Sequence, residues 1–559
     1  MMDRSRLGGV LWRVQATTSG LSWRSPTRRA VVSAFAVLLM VFAALAPAPA
    51  SADDGASTSS VIVQLADRDD DVHAIVEGFG GTVTAELAII DGVAADVPTS
   101  ALALLEQHPS VAAVTPDGQV QLTGWENTAN GDMISMSSVS DKLVDADVFW
   151  NDGFTGAGVD VALIDSGVSS AAALTTSGKV LNGPDLSFES QNPSLIHEDS
   201  FGHGTHLAGI IAGRDASAPS RITTKETRKH FLGIAPDARV VSVKVAQRQG
   251  AADVSQVIAA IDWVVQHRND DGLNIRVLNL SFGTDGTQSY LLDPLAFAVE
   301  QAWHNGIVVV VAAGNDGAGT ALRNPALDPF VIAVGASDHR GTFNLKDDRA
   351  AHFSSCGNAE RSVDLVAPGK SIVSSLSVSS LAAATNPESV VDGTYIVGSG
   401  SSQAAAVVSG GAALLIDQRP GITPDQVKAV FTSTAQSVGG SGLCQGAGVL
   451  DLGAAKRART PEATQNFDRS TGTGSLEAAR GSYHLEHDGV VLEGQQDVFG
   501  NSGDGASWSS LAAAGASWSG GDWNGASWSG ASWSGMSWSG ASWSGNGWLG
   551  LSWNGPAVL

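Results

Sequence analysis

Val159-Asp160-Val161-Ala162-Leu163-Ile164-Asp165-Ser166-Gly167 is an apolar run that ends on a carboxylate and a turn. A run of this length and composition reads as a buried strand over 159–164. Comparable runs recur at 240–245, 277–282, 307–311, 331–334 and 363–366, and they alternate with helical patterns. That alternation predicts an α/β domain over about 143–455, with a mainly parallel sheet and helices on both faces. Asp165 then sits at a strand's carboxyl end, the edge of such a sheet where ligands bind.

Three further stretches carry chemistry. Gly202-His203-Gly204-Thr205-His206 places a histidine at the start of an apolar helix, with glycines that let the backbone pack closely and leave the imidazole reachable. The valine run 308–311 leads into Ala312-Ala313-Gly314-Asn315, where an amide can donate a hydrogen bond without titrating. In Gly400-Ser401-Ser402-Gln403-Ala404-Ala405-Ala406 a hydroxyl stands at the first turn of a small-residue helix, beside unpaired N–H groups and the positive end of the helix dipole. Alone, that last pattern is equally an ordinary N-cap and turn.

Taken in order, Asp165, His203, Asn315 and Ser402 with their flanking motifs resemble the subtilisin-like serine peptidases, the subtilases. Chymotrypsin-like enzymes and α/β-hydrolases arrange the same groups in other chain orders. The resemblance implies a three-layer subtilisin-like fold and a protease acting on protein or peptide substrates. In it Ser402 is the nucleophile, His203 the general base, Asp165 the group that orients and charges the imidazole, and Asn315 an oxyanion donor. It also implies that Gly250-Ala251-Ala252 and Ser281-Phe282-Gly283 align extended peptide, with Ala312-Ala313-Gly314 as a second wall of the pocket for P1, the residue on the acyl side of the scissile bond. The small residues on those walls predict a roomy pocket that prefers large apolar P1 side chains. Catalysis of this kind needs no cofactor; structural calcium is an expectation of the family with no ligand set specified in this chain. The chain departs from the usual pattern at Ser401, Gln403 and Ala406, where the family carries Thr, Met and Pro. Ser401 and Ala406 remove no chemistry, whereas Gln403 sets a polar amide beside the nucleophile.

Across 559 residues the formal net charge is −24, which argues against nucleic acid and anionic membrane surfaces as partners. The first 52 residues instead hold six arginines and one aspartate, an apolar stretch at 30–45, two prolines and Ala50-Ser51-Ala52. This reads as a secretory signal peptide at 1–52, and a short membrane anchor is the competing reading. Export places the protein in the extracellular space or on the cell wall.

Residues 53–122 show a βαββαβ pattern, an α+β ferredoxin-like unit whose position resembles the family's inhibitory propeptide, with 119–122 available to lie in the cleft. A polar linker at 123–142 would then hold the maturation cut.

His197, Glu198, Asp199, His203 and His206 lack the helix-plus-glutamate spacing of zinc peptidases, so no metal site is assigned and His206 reads as a packed neighbour. Cys356 and Cys444 are the only cysteines. In an exported protein they allow one bridge, which would constrain the unfolded chain by roughly 4 to 5 kcal/mol; two buried thiols are the other reading.

After Ala455 the composition turns polar, predicting a linker with a short strand patch at 456–504. The tail 505–559 then repeats Gly-Ala-Ser-Trp-Ser and carries nine of the chain's fifteen tryptophans. Period five fits neither helix nor strand. Two readings stand for it: a Gly/Ser-rich disordered tail, or a stacking surface for cell-wall polymer, glycan or another copy. The alternative to a peptidase is a catalytically silent subtilase scaffold that serves as a wall adhesin through this tail.

Overall fold

The computed structural model describes residues 58–65, 71–87, 92–116, 133–223, 229–270, 272–439, 442–487 and 489–502, with a few isolated positions beyond. The signal-peptide reading of 1–52, the segment 119–122, residues 123–132 of the maturation linker and most of the tryptophan repeat lie outside them.

Residues 58–116 run β1 (Thr58–Leu65), α1 (Val72–Gly78), β2 (Thr82–Leu87), β3 (Gly92–Pro98), α2 (Leu102–Leu105) and β4 (Val111–Pro116). The sheet order is β2-β3-β1-β4 and all three pairings are antiparallel. Alternate residues Val61, Val63, Val93, Ala95 and Val97 are buried with Val76 and Leu105, so one face of the sheet meets both helices in a small core. Asp71 caps α1 by accepting from the Ala74 N–H at 3.1 Å.

The larger body continues with β5 (Ile134–Ser135), β6 (Asp160–Asp165), β7 (Val180–Asp185), α3 (His203–Ala212), β8 (Arg239–Lys244), α4 (Val254–His267), β9 (Ile275–Leu280), α5 (Pro294–His304), β10 (Val308–Ala312), β11 (Ile332–Asp338), β12 (Arg349–Ala350), β13 (Leu365–Pro368), β14 (Ile372–Ser375), β15 (Val390–Val391), β16 (Tyr395–Gly398), α6 (Ser401–Gln418) and α7 (Pro424–Thr434). The main sheet has the order β12-β11-β10-β9-β6-β8-β7, with β13 also on β11. Every pairing is parallel except β11 with β12. All residues of β6 and β10 are buried, and since successive side chains face opposite ways, both faces of the sheet are covered. This is the three-layer α/β architecture expected. α6 packs against β9, β10, β11 and β13 and also against α3, so two helices carrying candidate residues meet. Among the described residues no helix is long and apolar enough to cross a membrane.

Cys356 and Cys444 form a disulfide across a separation of 88 residues, with Cα atoms 4.3 Å apart. The thiol reading is thereby set aside. Nearby, β13 and the segment after α7 are also joined through the Leu365–Gly446 and Val366–Val449 bridges.

The linker reading of 456–504 is corrected. Leu476, Ala479, Leu485, Leu492, Val498 and Phe499 belong to the same core as the main sheet. Helix α8 (Leu476–Arg480) and a hairpin of β17 (Glu486–His487) with β18 (Val490–Val491) dock on the domain rather than trail from it. Arg480 is fully buried, with Nε 2.6 Å from Asp253 Oδ2 and Nη2 3.2 Å from Asp253 Oδ1. Burial alone would favour neutral Arg480, but Asp253 and Glu477 hold its pKa above the ordinary value. The segment also donates from the Val498 N–H to Ser255 Oγ at 2.8 Å and from the Ser482 N–H to Asp285 Oδ1 at 2.7 Å.

Candidate active site

Asp165 ends β6 and His203 begins α3, and the two are brought together in a buried corner. His203 Nδ1 lies 2.9 Å from Asp165 Oδ1 and 3.0 Å from Oδ2. The approach depends on Gly204: a Cβ there would stand 2.2 Å from the Gly167 carbonyl oxygen and 3.2 Å from Asp165. The carboxylate is held in turn, since the Ser166 N–H donates to Asp165 Oδ1 at 2.8 Å.

Asp199 supports both groups and was not singled out from sequence. Its Oδ1 accepts from Ser166 Oγ at 2.8 Å and from the Gly202 N–H at 2.6 Å, and its Oδ2 accepts from the Thr205 N–H at 2.8 Å. It caps the first turn of α3, whose own N-cap, Gly202, has no side chain to do so. An acid four residues ahead of His203 was the available signal. Burial raises the Asp199 pKa, against the hydrogen bonds that favour its charge.

For His203 burial pulls the pKa down, but the charge and hydrogen bond of Asp165 and the charge of Asp199 outweigh it, leaving the net value above 6.5. An imidazole acting as base must be neutral. The acid limb of kcat/KM should therefore fall at a pH above 6.5, because protonation silences the base as pH drops through this raised value. A pH–rate profile whose limb lies at or below the ordinary histidine value contradicts that. His206, one turn on, is different: burial and the nearby His203 push its pKa down to about 3, and its Nε2 lies 3.2 Å from the carbonyl oxygens of Ile372 and Ile396.

Ser402 is the second residue of α6 and is buried. Asn315 faces the same helix start. Its Oδ1 accepts from the Ser401 N–H at 2.9 Å, which fixes the amide so that Nδ2 points the other way. Among the described residues that buried Nδ2 has no hydrogen-bond partner. A probe atom at the Cβ position of Gly400 would be 3.1 Å from Asn315 Nδ2 and 3.7 Å from the Ser402 backbone nitrogen. Asn315 Nδ2 and the Ser402 N–H therefore border the same space beside Gly400, and a buried donor left without a partner is costly. Ser401 closes the arrangement by accepting from the Gly314 N–H at 3.2 Å through its hydroxyl. Gln403 is buried with its Oε1 lying 2.7 Å from the same probe position.

The predicted substrate walls also follow sheet edges. Ser281-Phe282-Gly283 follows β9, Ala312-Ala313-Gly314 spans the end of β10, and Gly250-Ala251-Ala252 precedes Asp253, the N-cap of α4. The expectation of a roomy apolar pocket between the first two walls is corrected. Arg323 stands there: a Cβ on Gly283 would be 2.5 Å from Arg323 Cβ, and one on Gly314, at φ 110°, would be 2.7 Å from Arg323 Cγ.

Among the described residues no group of three or more His, Cys, Asp or Glu side chains could hold a metal ion.

The sequence is also similar to known proteins. The model of the subtilase family matches residues 156–474. Serine protease AprX of Bacillus subtilis (strain 168) is 35% identical over 281 residues, 49% of this chain and 60% of that protein's length. Subtilisin E of the same organism is 31% identical over 386 residues, covering 68% of this chain and 84% of the relative. The extracellular serine proteinase of Thermus sp. (strain Rt41A) is 33% identical over 340 residues, 61% of this chain and 70% of the relative. The crystal structure of fervidolysin from Fervidobacterium pennivorans, a keratinolytic enzyme related to subtilisin, is similar at a TM-score of 0.48 and 24% identity, covering 76% of this chain and 63% of that one. With a family model that spans most of the sheet, all four candidate residues and the start of the docked C-terminal segment, this chain belongs to the subtilase family of serine peptidases.

Proposed function

We propose that this chain is a secreted subtilisin-type endopeptidase that cleaves peptide bonds through Ser402, His203 and Asp165, and that it is made as a self-processed precursor. The observation that carries the reading is the buried Asp165–His203 couple, with Asn315 Nδ2 and the Ser402 backbone nitrogen bordering one space beside Gly400. Ser402 Oγ attacks the scissile carbonyl carbon while His203 Nε2 takes its proton, and Asp165 stabilises the resulting imidazolium through Nδ1. The carbonyl oxygen, now an anion, is stabilised by hydrogen bonds from Asn315 Nδ2 and the Ser402 N–H. His203 then gives its proton to the leaving amine. Water, deprotonated by the same imidazole, releases the acyl group and restores Ser402.

Residues 53–122, of which the described part folds as the four-stranded unit 58–116, are proposed as the inhibitory propeptide on their place ahead of the peptidase domain. The Bacillus and Thermus relatives include proteases named extracellular, which supports export. A fluorophosphonate probe tests the reading directly. The mature protein should be labelled and the Ser402→Ala variant should not; an intact, processed protein that stays unlabelled would instead be the silent scaffold.

Asn315→Leu isolates the oxyanion site. It should lower kcat by about 10²–10³-fold with KM little changed, a magnitude known from subtilisin. Equal loss in KM would make Asn315 a ground-state contact instead.

A further inference from the structure

We infer that Arg323 sets the depth of the P1 pocket, so that the enzyme cleaves after short side chains such as alanine rather than after large apolar or aromatic ones. This rests on the reading of Ser402 as nucleophile and of 281–283 and 312–314 as the pocket walls. The backbone at 323–324 is laced to both walls: the Arg323 N–H donates to the Ala313 carbonyl at 3.0 Å, the Asn324 N–H to the Thr284 carbonyl at 2.9 Å, and the Thr284 N–H back to the Asn324 carbonyl at 3.0 Å. From that bridge the Arg323 stem crosses the gap between Gly283 and Gly314, touching both. Those two glycines therefore do not leave an open slot. The volume that their missing side chains release is taken by the methylenes of Arg323.

An exposed arginine could swing aside for a ligand. This one is held at its far end by three groups from three segments. Asp316 grips it in a fork, Nε to Oδ2 at 2.7 Å and Nη2 to Oδ1 at 2.6 Å. Asp285 Oδ2 lies 3.9 Å from Nη1, and the Tyr483 ring lies 5.1 Å from the guanidinium carbon. Bidentate pairing with stacking is a geometry that arginine holds well and gives up at a cost. An aromatic P1 side chain must displace all three contacts, whereas a methyl group displaces none. Tyr483 comes from the docked C-terminal segment, so a part of the chain beyond the nucleophile helix takes part in substrate choice.

The test is kcat/KM on succinyl-Ala-Ala-Pro-X p-nitroanilides with X as Ala, Leu and Phe. The wild type should favour Ala over Phe by at least tenfold, the discrimination that a few methylenes supply. Arg323→Gly should reverse that order, and Arg323→Met, which keeps the stem but loses the fork on Asp316 that holds it in place, should narrow it. Tyr483→Leu, which leaves the walls intact, should narrow the preference and serves if Arg323→Gly does not fold. A wild type that prefers Phe, or an Ala:Phe ratio that neither Arg323→Gly nor Tyr483→Leu changes, overturns the inference. The two readings fail separately: hydrolysis that persists in Ser402→Ala sinks the proposed mechanism, while Ser402-dependent hydrolysis that prefers Phe sinks only the role of Arg323.

Discussion

Replacing Ser402 by alanine should lower kcat on peptide amides by about 10⁶-fold, a magnitude taken from subtilisin, and His203→Ala should cost about as much. The two losses should not add in the double variant, since nucleophile and base work as one unit and either removal leaves only binding and the oxyanion donors. A second readout follows from the proposed self-processing: the Ser402→Ala protein should accumulate with residues 58–116 still attached. Removing the nucleophile leaves the fold in place, because Ser402→Ala takes away one hydroxyl from an α6 whose residues 401–416 stay buried. Unchanged thermal unfolding therefore accompanies the loss of rate. A Ser402→Ala protein that still turns over peptide amides near the wild-type rate would remove the enzyme's central residue from the mechanism.

The largest expected loss of stability is at Arg480. In Arg480→Ala the Asp253 carboxylate stays buried at the head of α4 without its partner, and breaking one side of such a pair costs about 3–5 kcal/mol. The side chain also bonds the Gly494 and Gln496 carbonyls in the segment after the hairpin, so those acceptors are stranded with it. The measurement is the urea midpoint, made in the Ser402→Ala background to suppress self-digestion, with limited proteolysis as a second readout. Cleavage should begin within 459–502 at denaturant concentrations that leave the wild type intact. Arg480→Lys should recover little, because a single ammonium cannot reproduce the fork on Asp253. A midpoint within experimental error of wild type would show that the segment is held by its apolar side chains alone.

The sheet and the candidate site were largely legible because their signals are local. Apolar-rich runs announced β6, β8, β9, β10, β11 and β13, and short motifs at strand ends or helix starts named Asp165, His203, Asn315 and Ser402. Strand ends slipped by one or two residues, except that β11 runs four residues past the apolar run 331–334, which does not mark where the ladder stops. β7 was missed outright: Asn182-Gly183-Pro184 interrupts it, and a proline is tolerated there because β7 is the edge strand. The docking of 459–502 was illegible for another reason. Its buried apolar residues are single and irregularly spaced, and Arg480 looks like any surface cation until Asp253 is seen beside it. Arg323 likewise carries no motif; only the fold sets it between Gly283 and Gly314. The supporting role of Asp199 needed the turn that brings its carboxylate back to the Gly202 and Thr205 N–H groups.

Tyr483 and Arg480 are synthesised well after Ser402, yet they brace the loops on both sides of the cleft. A nascent polypeptide thus acquires its hydroxyl, imidazole and carboxylate before it acquires a finished place to seat a substrate. Translation order becomes a clock: the hydrolytic groups wait, unbraced, until the last-made third of the domain has arrived and locked.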